Sequence, residues 1–308
     1  MKRSIIAAGL VLALSGCMGS SAAPKWYSQH KQDNAQYIYG AGEGPTKMDA
    51  INNALSFAAS KVSVTINSTF ATSKQYIESN DESNMFRELS KQTTSKVKNI
   101  EFSDYNVVKS TKEGDKYYVL IKIDKAKNAQ MLYNKAKNDI NDIQQYLNID
   151  DKVQILTKYP KLIARIKKDI YNLYTAQTLK NIPGINDTIK KAMKIKAELE
   201  QKLQSTSISI ESSNSKMKNI LEDIFSNMGY SLGSGVNVKA DIRESRRQIG
   251  SYYLTTLSVY VTMKDKTSVQ FGVKCAGKSV SDYNTAKEMA LQSCKRKLEY
   301  KIKKILSR

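Results

Sequence analysis

An apolar run of ten residues, Ile5 to Leu14, follows Lys2 and Arg3 and ends in Ser15-Gly16-Cys17. A basic start, a short apolar stretch and small residues before a cleavage point are the parts of a secretory signal. As a helix the run would reach about 15 Å, half the ~30 Å of hydrocarbon in a bilayer. It therefore reads as a targeting segment rather than an anchor, and residues 1–16 are expected to be removed. The remainder must fold outside the cytoplasm, where cysteines can be oxidised.

The ending Leu14-Ser15-Gly16-Cys17 resembles the lipobox of bacterial lipoproteins, in which the cysteine thiol takes diacylglycerol, the peptide is cut before it and the new amine is acylated. On that resemblance Cys17 is the lipidation site, and membrane lipid is the first partner. At about 0.8 kcal/mol per buried methylene, two or more chains hold a protein on a membrane durably. Met18 stands where many enterobacterial lipoproteins retained at the inner membrane have aspartate, so a lipid-anchored place at the outer membrane is expected. Residues 17–24 are small or apolar without a periodic face, which suits a tether between lipid and folded body.

Removing Lys2 and Arg3 with the leader takes the formal charge from +20 to +18. Such a surface attracts anionic polymers. Outside the cytoplasm these are lipopolysaccharide, acidic wall polymers and acidic proteins; nucleic acid is not an expected partner for an exported chain. The same lysines also read as solvated helix faces.

The pattern predicts an α+β fold: two small α+β domains joined by a helical connector, with boundaries at 25–125, 126–205 and 206–308. In the first, Trp26-Tyr27 and Tyr37-Ile38-Tyr39 read as strand pieces, and residues 40–45 as a glycine turn. Thr46 with Asp49 reads as a capping pair for a helix to about Ser60, whose Ala50, Ala54 and Ala58 let it approach a sheet closely. Residues 62–70 alternate Val62, Val64 and Ile66 with polar neighbours, which predicts a strand. A polar helix over 76–96 and strands over 100–109 and 116–124 complete the domain. Trp26, Tyr27, Tyr39 and Phe57 are the expected core aromatics.

The connector is helical, cut at Pro160 and at Pro183-Gly184. Its last segment carries a stripe of Ile189, Ala192, Met193, Lys196, Ala197, Leu199 and Leu203, suited to packing on a neighbouring helix or a partner. The third region predicts strands over 207–210, 236–242, 252–263 and 268–275, a helix over 216–228 and a long helix from Tyr283. Ala286, Ala290, Leu291, Cys294 and Lys297 repeat the spacing of Ala50, Ala54, Leu55, Ala58 and Lys61. The end domains thus read as distant copies of one β/α unit or as a chance match.

Trp26-Tyr27 shortly after Cys17, the Tyr39-Gly40-Ala41-Gly42-Glu43-Gly44 element and the alanine-rich helix behind it resemble the LPP-twenty family of bacterial lipoproteins, which includes flagellar basal-disk lipoproteins. The resemblance covers about residues 17–124. It implies a compact α+β domain, an outer-membrane location and a structural or assembly role without catalysis, in an envelope complex or by self-association.

Little chemistry is legible. The glycine element lacks the spacing of a phosphate loop, and its glycines read as suppliers of positive φ in a turn. One histidine, His30, and no CxxC leave no expected metal site or cofactor. No catalytic set stands out, so no enzyme is expected. Cys275 and Cys294 read as a disulfide or as two buried thiols. Lys239, Arg243, Arg246 and Arg247 form a basic run between strands, read as an anion-binding loop or as a solvated hairpin edge that resists pairing. A module for lipopolysaccharide or peptidoglycan, using that surface, is the alternative function.

Overall fold

The computed structural model describes residues 23–29, 31–73, 100 and 102–306, and the chain divides into two units between Asn128 and Ala129. Cys17, the signal segment, His30 and the polar helix expected over 76–96 lie outside the described residues. Both units mix helices with an antiparallel or mixed sheet, so the fold is α+β.

In the first unit a three-stranded sheet has the order β1-β3-β2, with β1 Tyr37–Gly44, β2 Tyr105–Glu113 and β3 Lys116–Asp124, all antiparallel. The β2–β3 turn is tight because Gly114 takes a positive φ of 59°. Helix α2, Lys47–Ser73, packs on β1 and β3. The strand expected over 62–70 is part of this helix. Val62 and Ile66 continue the four-residue spacing of Ala50, Ala54 and Ala58, all buried, while Val64 is exposed. An i, i+4 stripe with one extra apolar residue inside it mimics alternation, and the helical period governs.

Trp26-Tyr27 is also helical rather than extended, in the single turn α1, Lys25–Ser28. It lies against the other side of the sheet, where the Tyr27 ring meets Tyr118 edge-on at 5.0 Å. Tyr39 is buried, but Phe57 is 41% exposed and does not belong to the core. Its place on α2 turns away from the alanine stripe.

The second unit contains the rest of α3, Lys125–Gln144, then α4, Lys152–Leu179, and α5, Ile185–Gln204. Pro160 does not cut the helical region: it sits inside α4, flanked by the buried Leu156, Tyr159, Leu162 and Ile163, whose packing offsets the lost hydrogen bond. The division falls earlier, where Asp151 caps α4 by accepting from the amides of Val153 and Gln154 at 2.9 and 3.3 Å. Gly184, with φ 78°, opens α5. The α5 stripe is consumed within the chain: Ile189, Ala192, Ile195, Leu199 and Leu203 are buried, and α5 packs along α4. Ala197 is exposed, and Ile195 takes the buried place the spacing gave to its neighbours.

A four-stranded sheet follows in the order β4-β5-β6-β7: β4 Ile208–Ser212, β5 Val236–Ile249, β6 Tyr252–Lys264 and β7 Ser268–Ser279. Only β4 and β5 run parallel, bridged by α6, Ser215–Asn227. The last helix, α7, Tyr283–Ile305, covers β7 and β6. The helical segment expected as a connector belongs to the same compact unit as this sheet.

Candidate functional site

Three glycines of the expected turn lie inside β1, and none of them has a positive φ. Their role is steric. A β-carbon on Gly40 would stand 2.2 Å from the Ala54 carbonyl oxygen, and one on Gly42 would stand 2.3 Å from the Ala50 carbonyl oxygen. Alternate glycines on the strand and every fourth alanine on α2 bring the helix backbone onto the sheet. The capping pair holds the entry: the Asp49 amide donates to Thr46 Oγ1 at 3.1 Å, and that hydroxyl donates back to Asp49 at 2.6 Å.

The second unit repeats this contact. A β-carbon on Gly277 in β7 would stand 1.9 Å from the Ala286 carbonyl oxygen and 2.4 Å from the Ala290 nitrogen, as one on Gly42 would meet Ala50 and Ala54. Lys61 donates to the Tyr39 carbonyl at 2.9 Å, and Lys297 donates to the Lys274 carbonyl at 2.7 Å. The capping pair recurs with its residues exchanged: the Thr285 amide donates to Asp282 at 2.8 Å and the Thr285 hydroxyl at 3.1 Å. Cys275 and Cys294 stand where Gly40 and Ala58 touch in the first unit, and they are joined as a disulfide with 5.3 Å between Cα atoms. Element order differs: strand and helix precede the hairpin in the first unit and follow it in the second.

The basic run lies within β5, not in a loop. The β5–β6 pairing continues to Ile249 opposite Tyr252, closed by Gly250 with φ 58°. Strand alternation therefore divides the four residues. Arg246 shares the helix side with Glu244: its guanidinium lies 2.6 Å from the Glu244 carboxylate and 5.5 Å from the Tyr283 ring. Hydrogen bonds from Lys287 and Arg246 hold the Glu244 carboxyl below its usual range.

Lys239, Arg243 and Arg247 share the opposite, outer side, with the exposed Tyr260 beside Arg243 at 5.5 Å. Their companions on β7 are not apparent from the sequence. Register places Arg243 across from Ser258 and Ser258 across from Lys274; likewise Arg247, Leu254 and Lys278 form one row. Lys274 and Lys278 were hidden because a lysine every fourth residue in a strand looks like any solvated edge. Only pairing to β6 shows that they share a face with the arginines. At the other edge of β7, Lys297 and Lys301 donate to the Lys274 and Gly272 carbonyls, covering a strand edge open to pairing.

One more cluster lies among the helices. Arg165 pairs with the Asp139 carboxylate, its Nε at 3.3 Å, and Asp169 hydrogen-bonds Asp139. Burial raises the Asp169 pKa to about 8, helped by the hydrogen bond and charge of Asp139; its second carboxyl oxygen has no partner. Burial alone would push Asp139 up as well, but the hydrogen bonds from Arg165 and Asp169 outweigh it and hold that carboxyl low. No group of three metal-ligating side chains occurs among the described residues, and no described helix is long and apolar enough to cross a membrane.

No curated protein matches this chain. Among solved structures it is similar to the secreted protein HP1454 from the human pathogen Helicobacter pylori, with a TM-score of 0.52 at 13% identity over 85% of this chain and 97% of that one. The likeness is one of fold. Residues 1–17 match the prokaryotic membrane lipoprotein lipid attachment site, whose last residue here is Cys17. Residues 24–124, the strand-and-helix unit built on Gly40, Gly42 and Ala54, match the LPP20 lipoprotein model, so the N-terminal third of this chain is similar to that family and directly follows the lipid attachment site.

Proposed function

We propose that the protein is a non-enzymatic lipoprotein of the outer membrane that serves as a structural or assembly component of an envelope complex, the flagellar apparatus among them. The observation that carries this reading is the placement of a domain similar to the LPP20 family directly behind a lipid attachment site. A folded unit held a few small residues from the bilayer is confined to its surface and meets its neighbours there at high effective concentration. Glycine–alanine docking and the α4–α5 stripe spend their apolar faces internally, which suits rigid modules better than a site that must open around a substrate.

The test is a Cys17→Ala variant beside the wild type in its own cell, with membrane fractionation and crosslinked pull-down read by mass spectrometry. The reading expects wild type in the outer-membrane fraction with a defined set of envelope proteins, and loss of both in the variant. A protein that stays in the inner membrane, or a crosslinked wild type with no protein partner and no self-association, overturns it.

A second reading, a module for an anionic envelope polymer, is favoured by one observation: Arg243, Arg247, Lys274 and Lys278 are exposed on one sheet face.

A further inference from the structure

We infer that the outer face of the β5-β6-β7 sheet is a docking surface for a phosphate-substituted glycan. The inference rests on the second reading above and gives it a place and a ligand chemistry. The row Arg243–Ser258–Lys274 and the row Arg247–Leu254–Lys278 run across three strands. With strands ~4.8 Å apart and ~3.4 Å per residue, four cations stand at the corners of a rectangle of about 10 by 14 Å.

Between the two rows lies Ser245–Thr256–Ala276, so the floor is small and carries hydroxyls. None of the four cations is in an ion pair among the described residues, whereas Lys239, just beyond, is already beside Asp241 at 3.7 Å. Tyrosine rings lie beside both rows: Tyr260 next to Arg243, and Tyr252 under Lys278 at 3.4 Å, 50% and 40% exposed. On β7 the residue across from Tyr260 is Gly272, and the ring lies close to it, 3.3 Å from where a β-carbon would stand.

Each element selects for the same occupant. Two cation rows about 14 Å apart fit a chain bearing spaced anions better than a single small ion. Guanidinium groups favour phosphate through paired hydrogen bonds. A flat floor of small residues lets an extended chain lie close, its hydroxyls answered by Ser245, Thr256 and Ser258. The half-exposed Tyr260 ring supplies a flat apolar surface for a sugar ring. An acidic peptide would use the cations but not the ring, and a fluid bilayer would need no flat floor. A lipid attachment site assigns the chain to the cell envelope, where phosphate-substituted glycans occur.

The experiment is calorimetric titration of the full chain carrying Cys17→Ala with phosphorylated lipopolysaccharide core oligosaccharide, at low and high salt. The probe is compared with the same oligosaccharide stripped of phosphate, and with anionic phosphatidylglycerol vesicles. The face variant R243Q/R247Q/K274Q/K278Q, and R243Q/K274Q as a milder one, are set against K161Q/K180Q/K190Q/K194Q, which removes equal charge from α4 to α5. The proposal expects at least about tenfold weaker binding in the face variant, less than about twofold in the control, and about tenfold loss on phosphate removal. Equal loss in both variants overturns the face while leaving a diffuse polymer binder. Vesicle binding lost in the face variant without oligosaccharide binding overturns the glycan. A wild type that binds neither overturns both the face and the reading beneath it.

Discussion

The Thr267 amide, in the turn between β6 and β7, donates at 2.9 Å to the Asp151 carboxylate that caps α4. Its neighbours repeat the link: the Lys152 amide donates to Asp265 at 2.8 Å, and Lys266 pairs with Asp150. A helix start and a hairpin end, far apart in sequence, thereby share one buried carboxylate.

Replacing Asp151 by alanine removes the cap and leaves the Thr267 amide without its acceptor. A loss of about 2–3 kcal/mol in the second unit is expected, read by denaturant unfolding. Burial pushes the Asp151 carboxyl up, but its hydrogen bonds from Thr267, Gln154 and Val153 outweigh this and hold it low. Its stabilisation is therefore present above the unfolded value near pH 4 and lost as pH falls through the folded one. Wild type and variant should converge in stability as the pH is lowered below about 4; a gap that stays constant would refute the assignment.

Asp169 works in the opposite sense. With a folded pKa of about 8, raised by burial and by Asp139, it keeps its proton at neutrality while the unfolded chain does not. Its contribution is complete below about pH 4 and disappears as pH rises toward and through 8. Asp169→Asn retains a donor for Asp139 without the titration. The variant should match wild type near pH 3 and exceed it by on the order of a few kcal/mol at pH 9, followed by thermal unfolding across that range.

Gly42→Ala puts a methyl where the Ala50 carbonyl already stands. The helix must lift from the sheet, at a cost of about 2–4 kcal/mol to the first unit. Trp26 is the chain's one tryptophan, and it belongs to that unit, so fluorescence reports the loss directly. Gly277→Ala should leave the tryptophan transition in place and lower the other.

Reduction of the Cys275–Cys294 bond opens a loop of sequence separation 19. About 3 kcal/mol should be lost from the second unit alone. Differential scanning calorimetry with and without reductant tests this: a shift of the tryptophan-monitored transition instead would mean that the units do not unfold separately.

Much of the second half was legible from sequence. The strands from 252 and 268 and the helices over 216–228 and from Tyr283 follow from alternation and helical spacing. The failures have physical causes. Val62, Val64 and Ile66 satisfy both periods, and only the burial of Val62 and Ile66 with Ala58 resolves them. Gly40, Gly42 and Gly44 announce an unusual backbone need, but a sequence does not say whether that need is a positive φ or a missing β-carbon. The basic face was half visible. Arg243 and Arg247 stood out as a run, whereas Lys274 and Lys278 join them only through strand register, which no local pattern encodes.

The exchanged order of strand–helix and hairpin bears on how such a domain is inherited. In the first unit Gly40, Gly42 and α2 come before the β2–β3 hairpin; in the second, β7, Gly277 and α7 come after the β5–β6 hairpin. The same glycine–alanine contact thus forms with its strand–helix piece on either side of the hairpin in the chain. A circular permutant that moves the strand–helix piece of the first unit behind its hairpin is therefore expected to keep the glycine–alanine seam, read by the tryptophan-monitored unfolding transition.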